Sequence, residues 1–218
     1  MKSSLSDVEI KSYLEKQMAL FLPDGKSLTF LKDILKETLK RVEYNFSHSN
    51  LPLFFKNDEV YFNHLNSDQM TVFLATAANV AHFEGIDPTA AEKLFYLNKI
   101  LHSFHCMYDT RLPKIFQVIH GVGTILGKAD YSDYLVVCQG CTVGASNGKV
   151  PKIKDHVVMY PHSAILGDCE IGSFNVLSYG ARVLNQTTGS QALIGAESSF
   201  NPVYKSQIER LSYYFKST

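Results

Sequence analysis

Three observations predict an α+β chain: a helical N-terminal domain, then a left-handed parallel β-helix, then a C-terminal helix. The first is a six-residue period. An apolar residue stands at Ile119, Ile125, Tyr131, Val137 and Val143, then after a ten-residue step at Ile153, Met159, Ile165, Ile171, Leu177 and Val183. With 45% of the chain hydrophobic, a run without a miss arises by chance in roughly one frame in several thousand, and a fixed short period marks a repeat architecture. The second lies two residues before each slot, at Gln117, Gly123, Ala129, Leu135, Cys141, Pro151, Val157, Ser163, Cys169, Asn175 and Ala181. These are mostly small side chains, able to share a tight interior with the larger one. The third is a series of helix-capping signals confined to the first hundred residues.

A period of six fits neither a helix nor a long alternating strand, so each hexad is read as one short strand and one corner. Three hexads make a coil, and each coil buries its apolar slots only against its neighbours. The run gives nearly four coils. The ten-residue step places a loop over Gly144-Ala145-Ser146-Asn147-Gly148-Lys149-Val150-Pro151 at one corner, rich in residues that break strands. Ile119 is expected to point inward, which puts His120 at the coil surface.

Before the repeat, Ser6-x-x-Glu9 has capping-box spacing for a first helix with Val8, Tyr13, Leu14, Met18 and Phe21 on its apolar face. Pro23-Asp24-Gly25 ends it. Ser27 is placed to cap a second helix carrying Leu28, Leu31, Ile34, Leu35, Leu39 and Val42, with a break at Asn50-Leu51-Pro52. Ser67 is placed to cap a third, closed by Gly85. Asp87-Pro88 supplies an N-cap and a proline at the first helical position for a fourth, running to about Met107. After Val183 the period fails at Asn185 to Gly189, Leu193-Ile194-Gly195 reads as a last strand, and Val203 to Phe215 reads as a terminal helix able to cover the open end. The expected divisions are 1–110, 111–195 and 196–218.

The 218 residues carry 21 basic and 21 acidic side chains, dispersed along the chain, so no electrostatic footprint for nucleic acid is present. No segment is long and apolar enough to span a membrane, and the N-terminal stretch reads as an amphipathic helix rather than a signal peptide. A cytoplasmic protein is expected. Cys138-x-x-Cys141 has metal-ligand spacing, but it is the only such pair, and Cys141 and Cys169 fall in the small inward slots. No metal is expected.

For chemistry the sequence offers His120-Gly121-Val122-Gly123. An imidazole is the default general base at neutral pH, and the glycines let a ligand approach the backbone. These residues also carry a family resemblance. The run His120 to Gly127, then Cys138-Gln139-Gly140-Cys141-Thr142-Val143-Gly144, Pro151-Lys152-Ile153 and Ile165-Leu166-Gly167-Asp168-Cys169-Glu170-Ile171-Gly172, resembles the serine acetyltransferases of the hexapeptide-repeat acyltransferase superfamily. The likeness covers about residues 85 to 185.

The resemblance implies a homotrimer, or a dimer of trimers, with active sites between adjacent β-helices and acetyl-CoA as acetyl donor. His120 matches the base that takes the proton from an acceptor hydroxyl as its oxygen attacks the thioester carbon. Gly144 and Ala145 match positions that receive the pantetheine arm, while Pro161 and Tyr179 stand where the family has alanines lining the CoA groove. In the family an aspartate precedes the histidine, and an Arg-His pair precedes Pro-Lys-Ile to hold the amino acid. Here those positions hold Ile119, Lys149 and Val150. Asp109 is the expected replacement for the acidic partner of His120. Asp87 matches an acceptor-binding aspartate by its Asp-Pro context, with Lys149 as a further acceptor contact.

The lost amino-acid clamp favours O-acetylation of a sugar or surface-polysaccharide precursor over serine O-acetylation in cysteine synthesis. The two separate on one feature: a free amine requires an acidic group beside His120. A third reading, from another class, is a non-catalytic trimeric scaffold. A zinc-dependent carbonic anhydrase requires three histidine ligands, and within the repeat only His156 and His162 accompany His120.

Overall fold

The first strand, β1 (Lys2–Ser3), leads into helix α1 (Asp7–Phe21), whose capping box forms as the sequence predicts: Glu9 N donates to Ser6 Oγ at 3.4 Å and Ser6 N to Glu9 Oε2 at 2.8 Å. Its buried stripe is Ile10, Leu14 and Met18, spaced four apart, while Val8 is 77% exposed and Phe21 is exposed. Helix α2 (Leu31–Ser47) buries Leu31, Ile34, Leu35 and Val42. The computed structural model describes residues 1–26, 31–195, 203–204 and 208–216, so the expected cap Ser27, with Leu28, lies outside the described residues.

After the break at Pro52 the chain is not wholly helical. Strands β2 (Phe55–Lys56) and β3 (Glu59–Phe62) form a hairpin, and β1 pairs parallel to β3. Asn57 and Asp58, at φ 52° and 60°, make the two-residue turn whose hand suits paired strands. Strands of two to four residues are too short to show a period, which is why the sequence hid them. Helix α3 (Ser67–Phe83) starts at Ser67 itself and its cap lies one residue earlier than expected: Asn66 Oδ1 accepts from the backbone N–H groups of Asp68 and Gln69, both at 3.1 Å. It packs against both α2 and α4 (Pro88–His102) and is the central helix of this region. Helix α4 stops at His102, short of Met107, because Ser103 turns left-handed at φ 52°.

The solenoid therefore begins before the period does, with β4 (His105–Cys106). It continues through β5 (Phe116–Ile119), β6 (Ile125–Leu126), β7 (Asp130–Tyr131), β8 (Leu135–Cys138), β9 (Thr142–Gly144), β10 (Lys152–Ile153), β11 (Val158–Met159), β12 (Ala164–Leu166), β13 (Glu170–Ile171), β14 (Val176–Leu177), β15 (Arg182–Leu184) and β16 (Ala192–Ile194). These make a parallel β-helix of about five turns. Three sheets form its faces, in the orders β13-β10-β7, β16-β14-β11-β8-β5 and β15-β12-β9-β6-β4. Strand β17 (Val203–Tyr204) pairs antiparallel on the β16 edge, and the terminal helix is present as the single turn α5 (Ile208–Leu211). Beyond it Tyr214 and Phe215 are buried; Gln117 Nε2 donates to Tyr214 O at 2.9 Å and Ser49 bridges Phe215. This segment packs beside the first coil, not over the last one.

Three inward ladders hold the coils together. Val118, Val137, Met159, Leu177 and Ile194 form one; Cys106, Leu126, Val143, Ile165 and Val183 form another; Tyr131, Ile153 and Ile171 form the third. The ladders correct the period in its first two slots. Val118 and Leu126 point in, whereas Ile119 is only partly buried and Ile125 is 43% exposed. The corner between Val118 and Leu126 holds seven residues where the corner between Val137 and Val143 holds five. The predicted loop is a tight hairpin in which Ser146 and Lys149 exchange two backbone hydrogen bonds of 3.0 Å around Asn147 (φ 50°) and Gly148 (φ 75°).

Candidate active site

His120 sits on that lengthened corner with φ 52°, a left-handed conformation that costs a non-glycine residue about 1–2 kcal/mol. Such strain persists only where the surroundings over-determine it. Here they do: Val122 N donates to His120 O at 2.7 Å, Thr124 Oγ1 to Cys138 O at 2.7 Å, and Gly123 N to Ser103 O at 3.0 Å, the last tying the corner to the end of α4. A side chain at Gly121 would collide with Val118. The imidazole is left 78% exposed.

The carboxylate facing it is Asp68, in the first turn of α3. His120 Nδ1 lies 3.6 Å from Asp68 Oδ2, a charge contact rather than a hydrogen bond, and Asp68 is only 16% exposed. Apo catalytic contacts are often loose in this way. His102 stands nearby, its Nδ1 2.8 Å from Asn98 Oδ1; burial depresses its pKa while Asp68 pulls it the other way. Cys138, under the corner, is pushed up to about 12 by burial, with Cys141 and Asp68 adding to the effect, so it offers no thiolate.

Asp109 does not meet His120. Its Oδ2 pairs with Lys128 Nζ at 2.7 Å, and Lys128 follows the C-terminal end of β6, whereas His120 precedes its start. Asp87 is the cap of α4, accepting from Ala90 N at 3.1 Å. At 1.5 Å per residue the 15-residue helix puts it about 20 Å from the His102 end that adjoins the site. Within one chain neither Asp109 nor Asp87 meets His120, and the carboxylate that does face it is Asp68, which sequence reasoning missed. Nothing in the linear sequence marks Asp68; only the docking of the α3 N-terminus on the first corner does.

Pro161 and Tyr179 stack below the His120 corner in successive coils. Gly140 N donates to Val122 O at 3.0 Å, His162 N to Gln139 O at 3.0 Å, and Gly180 N to Pro161 O at 2.9 Å. The His162 ring covers Gly140, where any side chain would collide with it, and meets Tyr179 edge-on at 5.6 Å. Gly144, Ala145 and Lys149 lie at the opposite edge of the same face, four residues of strand from Gly140, or about 13 Å. One chain therefore presents an imidazole facing a carboxylate at one edge and a hairpin-flanked backbone at the other. His156 lies on a different corner, sandwiched by Tyr134 and Phe174. Among the described residues no three His, Cys, Asp or Glu side chains are grouped to hold a metal. The four cysteines are free and buried. No described helix is long and apolar enough to cross a membrane.

No family model and no curated protein matches the sequence. Solved structures do. The chain is similar to Neisseria gonorrhoeae serine acetyltransferase at 19% identity and TM-score 0.69, covering 93% of this chain and 80% of that one. The same enzyme in complex with serine matches at 19% identity and TM-score 0.66, over 92% and 84%. Serine acetyltransferase from Brucella abortus strain S19, in complex with coenzyme A, matches at 15% and 0.68, over 93% and 84%. The likeness establishes the fold: a helical N-terminal part on a β-helix, as in these acetyltransferases.

Proposed function

We propose that the chain is an acetyl-CoA-dependent O-acetyltransferase whose acceptor is a hydroxyl amino acid of the serine type. The observation that carries the acceptor is Asp68, a partly buried carboxylate 3.6 Å from His120. An ammonium needs such a group and a neutral sugar does not, so the acidic environment that separates the two readings favours the amino acid. The solved relatives bound to serine and to coenzyme A support the same pairing. The sugar reading retains Lys149 and Val150 in its favour, since neither supplies the amino-acid clamp.

In this mechanism Asp68 faces the Nδ1 side of the imidazole through Oδ2 and the acceptor ammonium through its other oxygen, and Nε2 is left free. Nε2 takes the proton as the acceptor oxygen attacks the acetyl carbon of the thioester; the C–S bond then breaks, and the proton passes to the departing CoA sulfur. The products are an O-acetyl ester and free CoA. Gly144 and Ala145 would receive the pantetheine arm of the donor along their backbone, and Pro161 and Tyr179 would shape its groove. Because His120 and Gly144 stand at opposite edges of one face, a complete site forms between adjacent copies of a homotrimer.

The test is release of free thiol from acetyl-CoA by the wild type and by His120→Ala, with L-serine and with a panel of nucleotide sugars. Loss of a general base lowers the rate by about 10²–10⁴-fold. Serine turnover that disappears in the variant establishes the proposal, and sugar turnover replaces the acceptor. Absence of both binding and turnover of acetyl-CoA leaves a scaffold.

A further inference from the structure

A second concave site lies away from His120, where α2, α3 and the segment leading into the solenoid meet. It is a cleft of about 710 Å³, within the range of small-molecule pockets. Its rim carries Lys40 and Arg41 from α2 and Arg111 and Lys114 from the connecting segment; Glu84 is the one acidic side chain in the lining. Four cations against one carboxylate stand out in a chain whose formal net charge is zero.

Three features make this more than a scatter of surface charge. The segment bearing Arg111 and Lys114 is pinned: Asn79 Nδ2 donates to Tyr108 O and Thr110 O, Leu112 N donates to Asn79 Oδ1, and Phe116 N to Asn45 Oδ1. The Arg111 guanidinium rests on the Phe83 ring at 4.0 Å, which fixes its fork before any ligand arrives. Asn45 lines the cleft while 97% buried, at 3% exposure, and its Nδ2 is without a partner among the described residues. Acidic groups close by are accounted for. Glu37 and Glu84 are both engaged by Arg41, and Asp133 accepts from the Lys114 and Ile115 backbone N–H groups. Arg111 and Lys114 form no ion pair among the described residues, and Lys40 stands 3.9 Å from Glu37.

We infer that this cleft binds a small molecule carrying a phosphate monoester. Arg111 and Lys114 take the phosphate oxygens, with Lys40 adding charge from α2. The exposed Tyr44 ring forms the wall for the organic part. A planar fork with a mobile ammonium suits a dianionic tetrahedral group better than a single carboxylate. The inference does not depend on the proposed acetyl transfer.

The experiment is calorimetric titration of the full chain with inorganic phosphate, AMP and glucose 6-phosphate, at constant ionic strength set by chloride. The Kd for phosphate is expected to rise about tenfold for each of Arg111→Ala and Lys114→Ala, the loss of one charge-assisted contact. Should Arg111→Ala fail to fold for want of its stack on Phe83, Lys114→Glu alone decides, since its side chain is exposed and unpaired. Tighter binding of AMP or of the sugar phosphate than of phosphate identifies the organic part. Heats no larger than those of chloride, or heats that persist in both variants, overturn the inference.

Discussion

Two neighbouring stretches of the solenoid share the same ladders but differ in register. Between the coil that holds β10, β11 and β12 and the next, all three faces pair across 18 residues: Lys152 faces Glu170, Val158 faces Val176 and Ala164 faces Arg182. In the first coil Val118 faces Val137 across 19 residues and Leu126 faces Val143 across 17. The regular coils consume their corners in packing. Tyr134, His156 and Phe174, all left-handed, stack at 4.2 and 4.5 Å with planes 13° apart. Burial works against the Asp155 carboxylate, yet hydrogen bonds from Ser173 and His156 hold it below the usual range. His120 has the same backbone conformation as His156 but stands 78% exposed against 15%. A repeat builds a scaffold where it is kept, and frees a side chain for chemistry where it is broken.

The sharpest way to break this contrast is to truncate one residue from each register. Ile165→Ala in a regular coil removes a fully buried side chain and is expected to cost about 2–5 kcal/mol. Ile125→Ala, in a slot that the six-residue period points inward but the fold does not, is expected to cost about 0.5 kcal/mol or less. Urea unfolding measures both, and equal losses would restore Ile125 to the core.

That pair also marks how far the sequence is legible. From Tyr131 to Val183 the period and the ladders agree, because each coil is specified by contacts one repeat away. It fails at Ile119 and Ile125 because two extra residues in one corner leave no sign in a pattern that tolerates any apolar residue. The hairpin at Asn57-Asp58 was hidden by strands too short to alternate. At the site His120 was readable from its glycines, whereas Asp68 was not, since it reaches the corner only through the packing of α3. The Asp-Pro signal at residue 87 is a true helix cap, and within one chain it marks the end of α4 away from His120.

A smaller effect separates the two carboxylates. Asp68→Asn keeps the shape but removes the charge facing His120, and is expected to lower kcat/KM by about tenfold in the thiol-release assay, one charge-assisted contact's worth. Asp109→Asn should change it less, losing only the pair with Lys128, whose ammonium is 64% exposed. The reverse order would mean that Asp109 reaches the His120 of another copy of the chain.

Smaller still is the strain at the corner itself. His120→Gly and His120→Ala both remove the imidazole, but only glycine accepts φ 52° without a steric penalty. The glycine variant is expected to be about 1 kcal/mol more stable than the alanine variant, read as a difference in urea midpoint. Equal midpoints would show that the corner relaxes once the imidazole is gone.

The smallest expected effect links the site to pH. Burial holds the folded pKa of His102 below the ordinary 6.5, with Asp68 opposing the shift. Above 6.5 the imidazole is neutral in both states and its contribution to stability is complete. As pH falls through 6.5 the unfolded chain takes up the proton first, so stability drops until the lower folded value is passed. His105 is shifted the same way, by burial and then by Lys99, so His102→Gln should remove only part of this slope. Asp68→Asn should steepen it, because without the carboxylate nothing offsets the burial of His102. Stability curves measured from pH 7.5 downward therefore report on the same carboxylate as the kinetics, without any substrate present. If Asp68→Asn lowers the rate but leaves the pH slope alone, the charge acts on His120 and the acceptor only, and His102 lies outside its field.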